Sequence, residues 1–373
     1  MTGQVLRHNA RVVSQLSRLD GVPRAYAWGS PTAIPELLGV PPTGEPVAEL
    51  WFDRQLPFLL KILAADTALS IQVHPTLAQA REGFASEERR GIARDAPERN
   101  YRDVNHKPEL LCAVTPFDAL CGFRPVADTL RFLAELDVSE LVPFREALGG
   151  TEGLKAAFTA ILATPEADRE TLIEATLVGC RRLAGGGGEW GRAADAVLCA
   201  AADFPGDIGS VIALLLNAVH LTPGEAIYLD AGNVHAYLRG TGVEIMANSD
   251  NVLRSGLTPK HVDVPELLRI ADFTELAEPR CRWREEDVDT RRFLTPVNDF
   301  ELAVLTPGDG GTGPARAVTR PVDQVLLCTA GSVSVAGAGE EVVLRPGQAV
   351  FVPAGVPTGC TGSGTVFQAT TPA

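Results

Sequence analysis

The sequence has no paired cysteine spacing. Its seven cysteines stand at 112, 121, 180, 199, 281, 328 and 360, an odd number with no C-x-x-C among them. That excludes a disulfide framework and a thiolate zinc finger, and indicates reduced thiols in a cytoplasmic protein. No long hydrophobic run is present. The most apolar stretch, Val211 to Leu221, is interrupted by Asn217 and His220 and is too short to cross a bilayer. The opening stretch, M-T-G-Q-V-L-R-H-N-A-R-V-V-S-Q-L, lacks the apolar segment of a signal peptide. Positive charge is in short supply: 33 Lys and Arg face 47 Asp and Glu, a net −14. This argues against nucleic acid and anionic membrane as partners, but not against a small anionic molecule, which meets local charge rather than the total. Gly185–Gly188 is glycine-rich, yet no strand precedes it and no G-K-[S/T] follows, so it reads as a loop between helices and not as a phosphate cradle.

What is present is a 373-residue chain of ordinary apolar content, long enough for two or three domains. Residues 1–125 read as β-rich. Leu56–Leu63 and Ala68–His74 are apolar runs of strand length. In the second, a period of two places Ser70, Gln72 and His74 on one face and Leu69, Ile71 and Val73 on the other. Residues 76–104 read as a helix and a charged loop, and Pro108–Val114 as another strand. Over 126–212 the period becomes helical, with Leu154, Ala157, Phe158, Ile161 and Leu162 in one group and Leu172, Ile173, Thr176, Leu177 and Cys180 in the next. Thr164-Pro165-Glu166 is a helix-start signal, with Thr164 of N-cap type and proline in the first turn. Strands return from 213, at Ala226–Leu229 and Val243–Met246, and the last hundred residues are β-like.

An internal repeat lies within the β regions. L-T-P-G-E-A-I-Y-L-D-A-G at 221–232 matches L-R-P-G-Q-A-V-F-V-P-A-G at 344–355 without a gap. Extended, the match sets His235 opposite Thr358 and Glu244 opposite Phe367. A turn, a strand and a turn followed by an inward histidine is the pattern of jelly-roll cupin barrels. The duplication therefore predicts two barrels, one bearing a metal site and one that has lost it.

The polar residues of the first half can be assembled into one site. Gln72, His74, Glu109 and His235 offer an amide oxygen, two imidazoles and a carboxylate, a set suited to a divalent metal such as zinc. A single strand histidine is more often structural; the combination with K-P-E at 107–109 and G-N-V-H-A-Y at 232–237 is what carries the signal. Lys61, Lys107, Arg254 and Lys260 lie in or near the same segments, with Asp250 among them. Several cations near a metal in an acidic protein suit an anionic substrate such as a phosphate ester.

With these residues in view, the chain resembles the type I mannose-6-phosphate isomerases. The motifs are Y-A-W-G-S at 26–30, A-E-L-W at 48–51, L-S-I-Q-V-H-P at 69–75, Y-R-D-V-N-H-K-P-E-L at 101–110, L-T-P-G-E-A at 221–226, G-N-V-H-A-Y at 232–237 and E-I-M-A-N-S-D-N-V-L-R-S-G-L-T-P-K at 244–260. The resemblance implies a mainly β fold with an α insert: two jelly-roll (cupin) domains, the catalytic one from 1–125 and 213–270 and a metal-free one from 271–373, with a helical domain at 126–212. It implies a cytoplasmic aldose–ketose isomerase with one zinc ion per chain, acting on a hexose 6-phosphate, as a monomer or weak homo-oligomer. It places the metal ligands at Gln72, His74, Glu109 and His235. Arg254 falls on an essential arginine, Lys107 on a proton-transfer lysine, Asp250 and His74 on ring-opening groups, and Glu244 on an active-site carboxylate. Lys61, Ser70 and Lys260 fall on substrate-binding positions. Where the family continues M-G-x-H-P after A-E-L-W, this chain has Phe52-Asp53-Arg54-Gln55, which predicts a changed loop at the pocket entrance. Two rival readings are another cupin metalloenzyme and a non-catalytic sugar-phosphate binding protein. The histidine-richer site of a cupin oxygenase is disfavoured by Gln72 and the cations, and a binding protein by the intact first half.

Overall fold

The structure, a computed structural model, describes residues 15–308 and 315–373 apart from positions 55, 187 and 288. Residues 1–14, Gln55 of the departing loop and Gly187 of the glycine run thus lie outside the described residues. Strand outweighs helix, 33% to 28%, so the chain is mainly β with a substantial helical part. The described strands form two sheets. One has ten strands, from Val22–Arg24 to Leu253–Gly256; the other has nine, comprising Ser17–Leu19 and the strands from Trp283–Asp287 to Thr358–Thr370. Ser17–Leu19 pairs antiparallel with Ala349–Val352, so the C-terminal sheet takes its edge from near the start of the chain.

The long strand His235–Ala247 orders the first sheet. It pairs with Phe58–Ala65 along eight residues, with Ile71–Val73, with Glu109–Ala113 and with Phe117–Phe123. The register sets Glu244 opposite Lys61, His235 opposite Gln72 and Met246 opposite Glu109. The strand can serve so many partners because it bends. The ladder shifts between Tyr237 and Arg239, and Gly240 has φ 124° with the Pro116 carbonyl oxygen 2.6 Å from where a Cβ would stand. Only glycine fits both conditions.

Alternation then divides the faces. Leu60, Ile62, Leu110, Cys112, Val243 and Ile245 turn one way and join Leu302, Val325, Leu327, Phe351 and Phe367 of the second sheet in one buried core. Their neighbours Lys61, Glu109 and Glu244 turn the other way. Phe58–Ala65 is buried along its whole length, which explains its continuous apolar sequence and leaves Lys61 as a charge in a dry strand.

The repeat is visible in the backbone. Ala226–Leu229 and Ala349–Val352 are both strands, and the strands that follow, His235–Ala247 and Thr358–Thr370, begin at the two aligned residues and have 13 residues each. The flanking glycines 224 and 347, and 232 and 355, all have positive φ.

Several expectations shift. Ala68–His74 is a strand only at Ile71–Val73. The amides before it are claimed elsewhere, Ala68 by the Asp203 carboxylate and Leu69 by the Tyr237 carbonyl, and Pro75 follows. After Pro75, a capping box of Thr76 and Gln79 starts the helix Leu77–Arg89. The helix Glu166–Leu183 is capped at Pro165, not Thr164, whose hydroxyl bonds back to Ala160. The apolar run 211–221 divides into the end of a helix, a 3-10 turn at Ala213–Leu215 and the strand Leu216–Leu221. No helix among the described residues is long and apolar enough to cross a membrane.

Candidate metal centre

Three ligand atoms meet where Ile71–Val73, Glu109–Ala113 and His235–Ala247 adjoin. His74 Nε2 and His235 Nε2 each lie 3.4 Å from Glu109 Oε2, and the group converges within 4.8 Å. Both imidazoles are fully buried, and Glu109 nearly so. The Nδ1 atom of His74 is 2.8 Å from the Asn251 carbonyl oxygen, and that of His235 is 2.9 Å from the Asn233 carbonyl oxygen. A carbonyl only accepts, so each Nδ1 carries the proton and each Nε2 presents a lone pair. Burial, then the charge of Lys107, lowers the His74 pKa to about 4, keeping the ring neutral. Burial opposes the charge on Glu109, but the Lys107 ammonium holds its carboxyl well below the usual range. Lys107 Nζ takes the other carboxylate oxygen at 2.7 Å.

His74 Nε2, His235 Nε2 and Glu109 Oε2 are all buried without a hydrogen-bond partner. Three orphaned acceptors aimed at one point are costly unless something cationic sits among them. Two imidazoles and a carboxylate suit zinc, and the carbonyls on both Nδ1–H groups are the outer support such ligands have. Gln72 stands between His235 and Arg254 in the strand register and lines the adjoining cavity.

That cavity has a volume of about 610 Å³. Gln72, Glu109, Lys61, Lys107, Ser70, Glu244, Asp250, Arg254 and Lys260 all line it; His74 and His235 lie behind its wall. At its centre Lys61 Nζ bridges Glu49 at 2.8 Å and Glu244 at 2.6 Å. Burial would strip this ammonium of its proton, but the carboxylates Glu244, Glu49 and Glu109 outweigh it and raise the Lys61 pKa. Burial likewise raises the Glu244 carboxyl against the pull of Lys61. The Tyr237 hydroxyl donates to Glu244 at 2.5 Å, and the Trp51 indole to Glu49 at 2.7 Å.

Arg254, half-buried and opposite Gln72 in the strand register, and Lys260 also line the cavity. Burial and the neighbouring Arg102 lower the arginine; Arg254, burial and Arg102 lower the lysine. No carboxylate pairs with either among the described residues. Cations without a counter-charge, lining the same cavity as a carboxylate–imidazole site, suit a ligand with an anionic group and a neutral polar body.

Glu49 and Tyr237 are functional candidates that the sequence did not single out. Both had a signal: Tyr237 follows His235 by two residues on the same strand, and Glu49 precedes Trp51 by two within A-E-L-W. Of the departing loop, Phe52, Asp53 and Arg54 do not line the cavity. Arg54 instead lies over the Phe351 ring at 4.3 Å, a contact with the second sheet.

The description "phosphomannose isomerase type I, catalytic domain" fits residues 52–126. A mannose-6-phosphate isomerase of Escherichia coli K12 is 34% identical, with 88% of this chain and 92% of that protein covered. The mouse mannose-6-phosphate isomerase is 32% identical over 81% of this chain and 74% of its own. A crystal structure of a mutant phosphomannose isomerase from Salmonella typhimurium superposes with a TM-score of 0.87 at 31% identity, covering 96% of this chain and all of that one. A mannose 6-phosphate isomerase bound with zinc and yttrium superposes with a TM-score of 0.85.

Proposed function

The chain belongs to the type I phosphomannose isomerases, and from that premise we propose that it interconverts mannose 6-phosphate and fructose 6-phosphate with one zinc ion per chain. The observation that carries the reading is the convergence of three orphaned ligand atoms beside a cavity that is also lined by the unpaired cations Arg254 and Lys260. His74, Glu109 and His235 would hold the metal, with the Gln72 amide oxygen as a fourth ligand. Zinc bound there supplies Lewis-acid polarisation of a substrate oxygen and needs no redox change.

The remaining steps fall to this chain's own groups. Arg254 and Lys260, with Ser70, take the phosphate. Lys61, fixed between two carboxylates, donates to sugar hydroxyls. Asp250, on the exposed rim with its backbone N–H tied to Asp103, moves the ring proton that opens the pyranose; His74, the other ring-opening candidate, lies behind the cavity wall with Nδ1 on the Asn251 carbonyl and serves as a metal ligand. The C2 proton is then transferred to C1 through a cis-enediol. Lys107, Glu244 and Asp250 compete for that role. Both Glu244 oxygens are engaged, by Lys61 and Tyr237; Asp250 stands at the rim; and Lys107, whose ammonium is paired with Glu109, can take the C2 proton only after giving up its own. Arg254 stabilises the anionic enediol or the phosphate.

The same reading takes the two sheets as two jelly-roll domains, 1–125 with 213–270 and 271–373, and 126–212 as a helical insertion. It also takes the reduced thiols as a mark of the cytoplasm. The test is turnover of mannose 6-phosphate among a panel of hexose 6-phosphates with zinc present. Arg254→Ala is expected to lower kcat/KM by about 100-fold or more, the scale of one charged transition-state donor. Wild-type turnover in that variant would remove the arginine from the mechanism.

A further inference from the structure

The segment Asp203–Gly209, which ends one helix and begins the next, reaches the cavity from the helical side. Phe204 lines the cavity. The acids on either side of it grip the backbone of two loops. Asp203 Oδ2 accepts the Ala68 amide at 2.7 Å, and its carboxylate is itself held by Arg239 at 2.6 and 2.9 Å. Asp207 Oδ1 accepts the amides of Gly209 at 2.7 Å and Leu257 at 2.8 Å, and its Oδ2 accepts that of Thr258 at 3.1 Å. These loops run on to Ser70 and to Lys260, which both line the cavity.

The second loop is held in a conformation it would not keep unaided. Leu257 is fully buried at φ 53°, the left-handed region that a leucine occupies only when its surroundings enforce it. The helical segment comes close enough to enforce it because both sides are glycine. A Cβ at Gly209 would stand 2.6 Å from the Leu257 nitrogen, and one at Gly256 2.5 Å from the Gly209 Cα. A cap for the short helix at Gly209 accounts for one of the three Asp207 bonds; the other two serve the loop.

We propose that Asp203 and Asp207 are positioning residues, through which the helical part of the chain fixes the spacing of the loops bearing Ser70 and Lys260 and so sets affinity for the phosphate of the substrate. This rests on the sugar-phosphate reading above. Neither carboxylate touches the ligand. Each spends its charge on backbone N–H groups or on Arg239, so it shapes an anion site without repelling the anion.

The experiment uses the full zinc-loaded chain. Asp207→Ala is expected to raise KM for mannose 6-phosphate about tenfold or more, the loss for charged hydrogen bonds, with kcat held within about threefold and zinc content unchanged. The dissociation constant of inorganic phosphate, read by calorimetry, rises by the same factor. Adding Leu257→Gly restores both quantities toward wild type, because glycine adopts positive φ without support. Asp207→Asn, which keeps one acceptor oxygen, gives a smaller rise and serves if the alanine variant does not fold. Unchanged KM and phosphate affinity would overturn the proposal. So would a parallel fall of kcat, zinc content and affinity that Leu257→Gly leaves unrestored. If the wild-type chain fails to turn over mannose 6-phosphate, the functional reading falls, and the phosphate titrations of wild type and Asp207→Ala still decide the brace. A wild-type chain that binds no phosphate overturns both.

Discussion

A buried neutral imidazole whose Nδ1–H is committed to a carbonyl has one group left to offer, the Nε2 lone pair. His74, kept neutral by burial, is in that state; His235 has its Nδ1 committed to a carbonyl in the same way, and Glu109 turns its one orphaned oxygen toward both. These residues were legible in the sequence because ligand chemistry leaves short, polar signatures on strands: Gln72 and His74 two apart, Glu109 after K-P, His235 after the G-N turn. Glu49 and Tyr237 escaped because their work is on other side chains. Tyr237 donates to Glu244, which in turn holds Lys61. Removing that donor leaves a buried carboxylate short of a partner, at a cost of about 1–3 kcal/mol. Tyr237→Phe is therefore expected to reduce kcat roughly 10- to 100-fold while zinc content, measured by elemental analysis, stays at one per chain. A variant with undiminished kcat would show that Glu244 needs no help from the phenol.

At the scale of elements, the repeat set His235 opposite Thr358, and each proves to open a 13-residue strand, although only Val243–Met246 of the first was read as strand; P-G and A-G turns demand glycine at fixed positions and so keep their imprint. The Ala68–His74 strand was overestimated for the opposite reason. Its competing partners lie far along the chain, Asp203 being 135 residues away from Ala68, and no local pattern announces them. Gly240 is the hinge of the organising strand. Gly240→Ala must place a methyl 2.6 Å from the Pro116 carbonyl at φ 124°, and is expected to lower stability by about 1–3 kcal/mol, read as a fall in the chemical-denaturation midpoint. An unchanged midpoint would mean that the bend is not required. Asp203 offers a pH test. Burial works against its charge, yet the bonds from Arg239 and the Ala68 amide depress its pKa. A carboxyl lowered on folding adds stability that is full above its unfolded value, near 4, and is lost as pH falls through the folded value. The stability gap between wild type and Asp203→Asn should therefore be constant around pH 7 and close below about pH 4. A gap that persists unchanged into acid would contradict that assignment.

Across the whole molecule, two sheets share one buried core while the helices cover another face of the first sheet. The fold class was legible because strand and helix periods segregate along this chain. The way the helical segment reaches the cavity was not, since it runs through backbone amides. An overall charge of −14 coexists with a cavity that keeps Arg254 and Lys260 unpaired among the described residues, so the acidity of the surface says nothing about the ligand.

The central claim is that the orphaned atoms of His74, Glu109 and His235 hold the metal on which turnover depends. It is tested most directly by removing metal with a chelator, verifying the loss by elemental analysis, and titrating zinc back while following mannose 6-phosphate conversion. Activity is expected to disappear with the metal and to return in proportion to zinc, saturating at one equivalent per chain, and Glu109→Ala is expected neither to retain zinc nor to regain activity. Full turnover by a chain verified to be free of metal would contradict it.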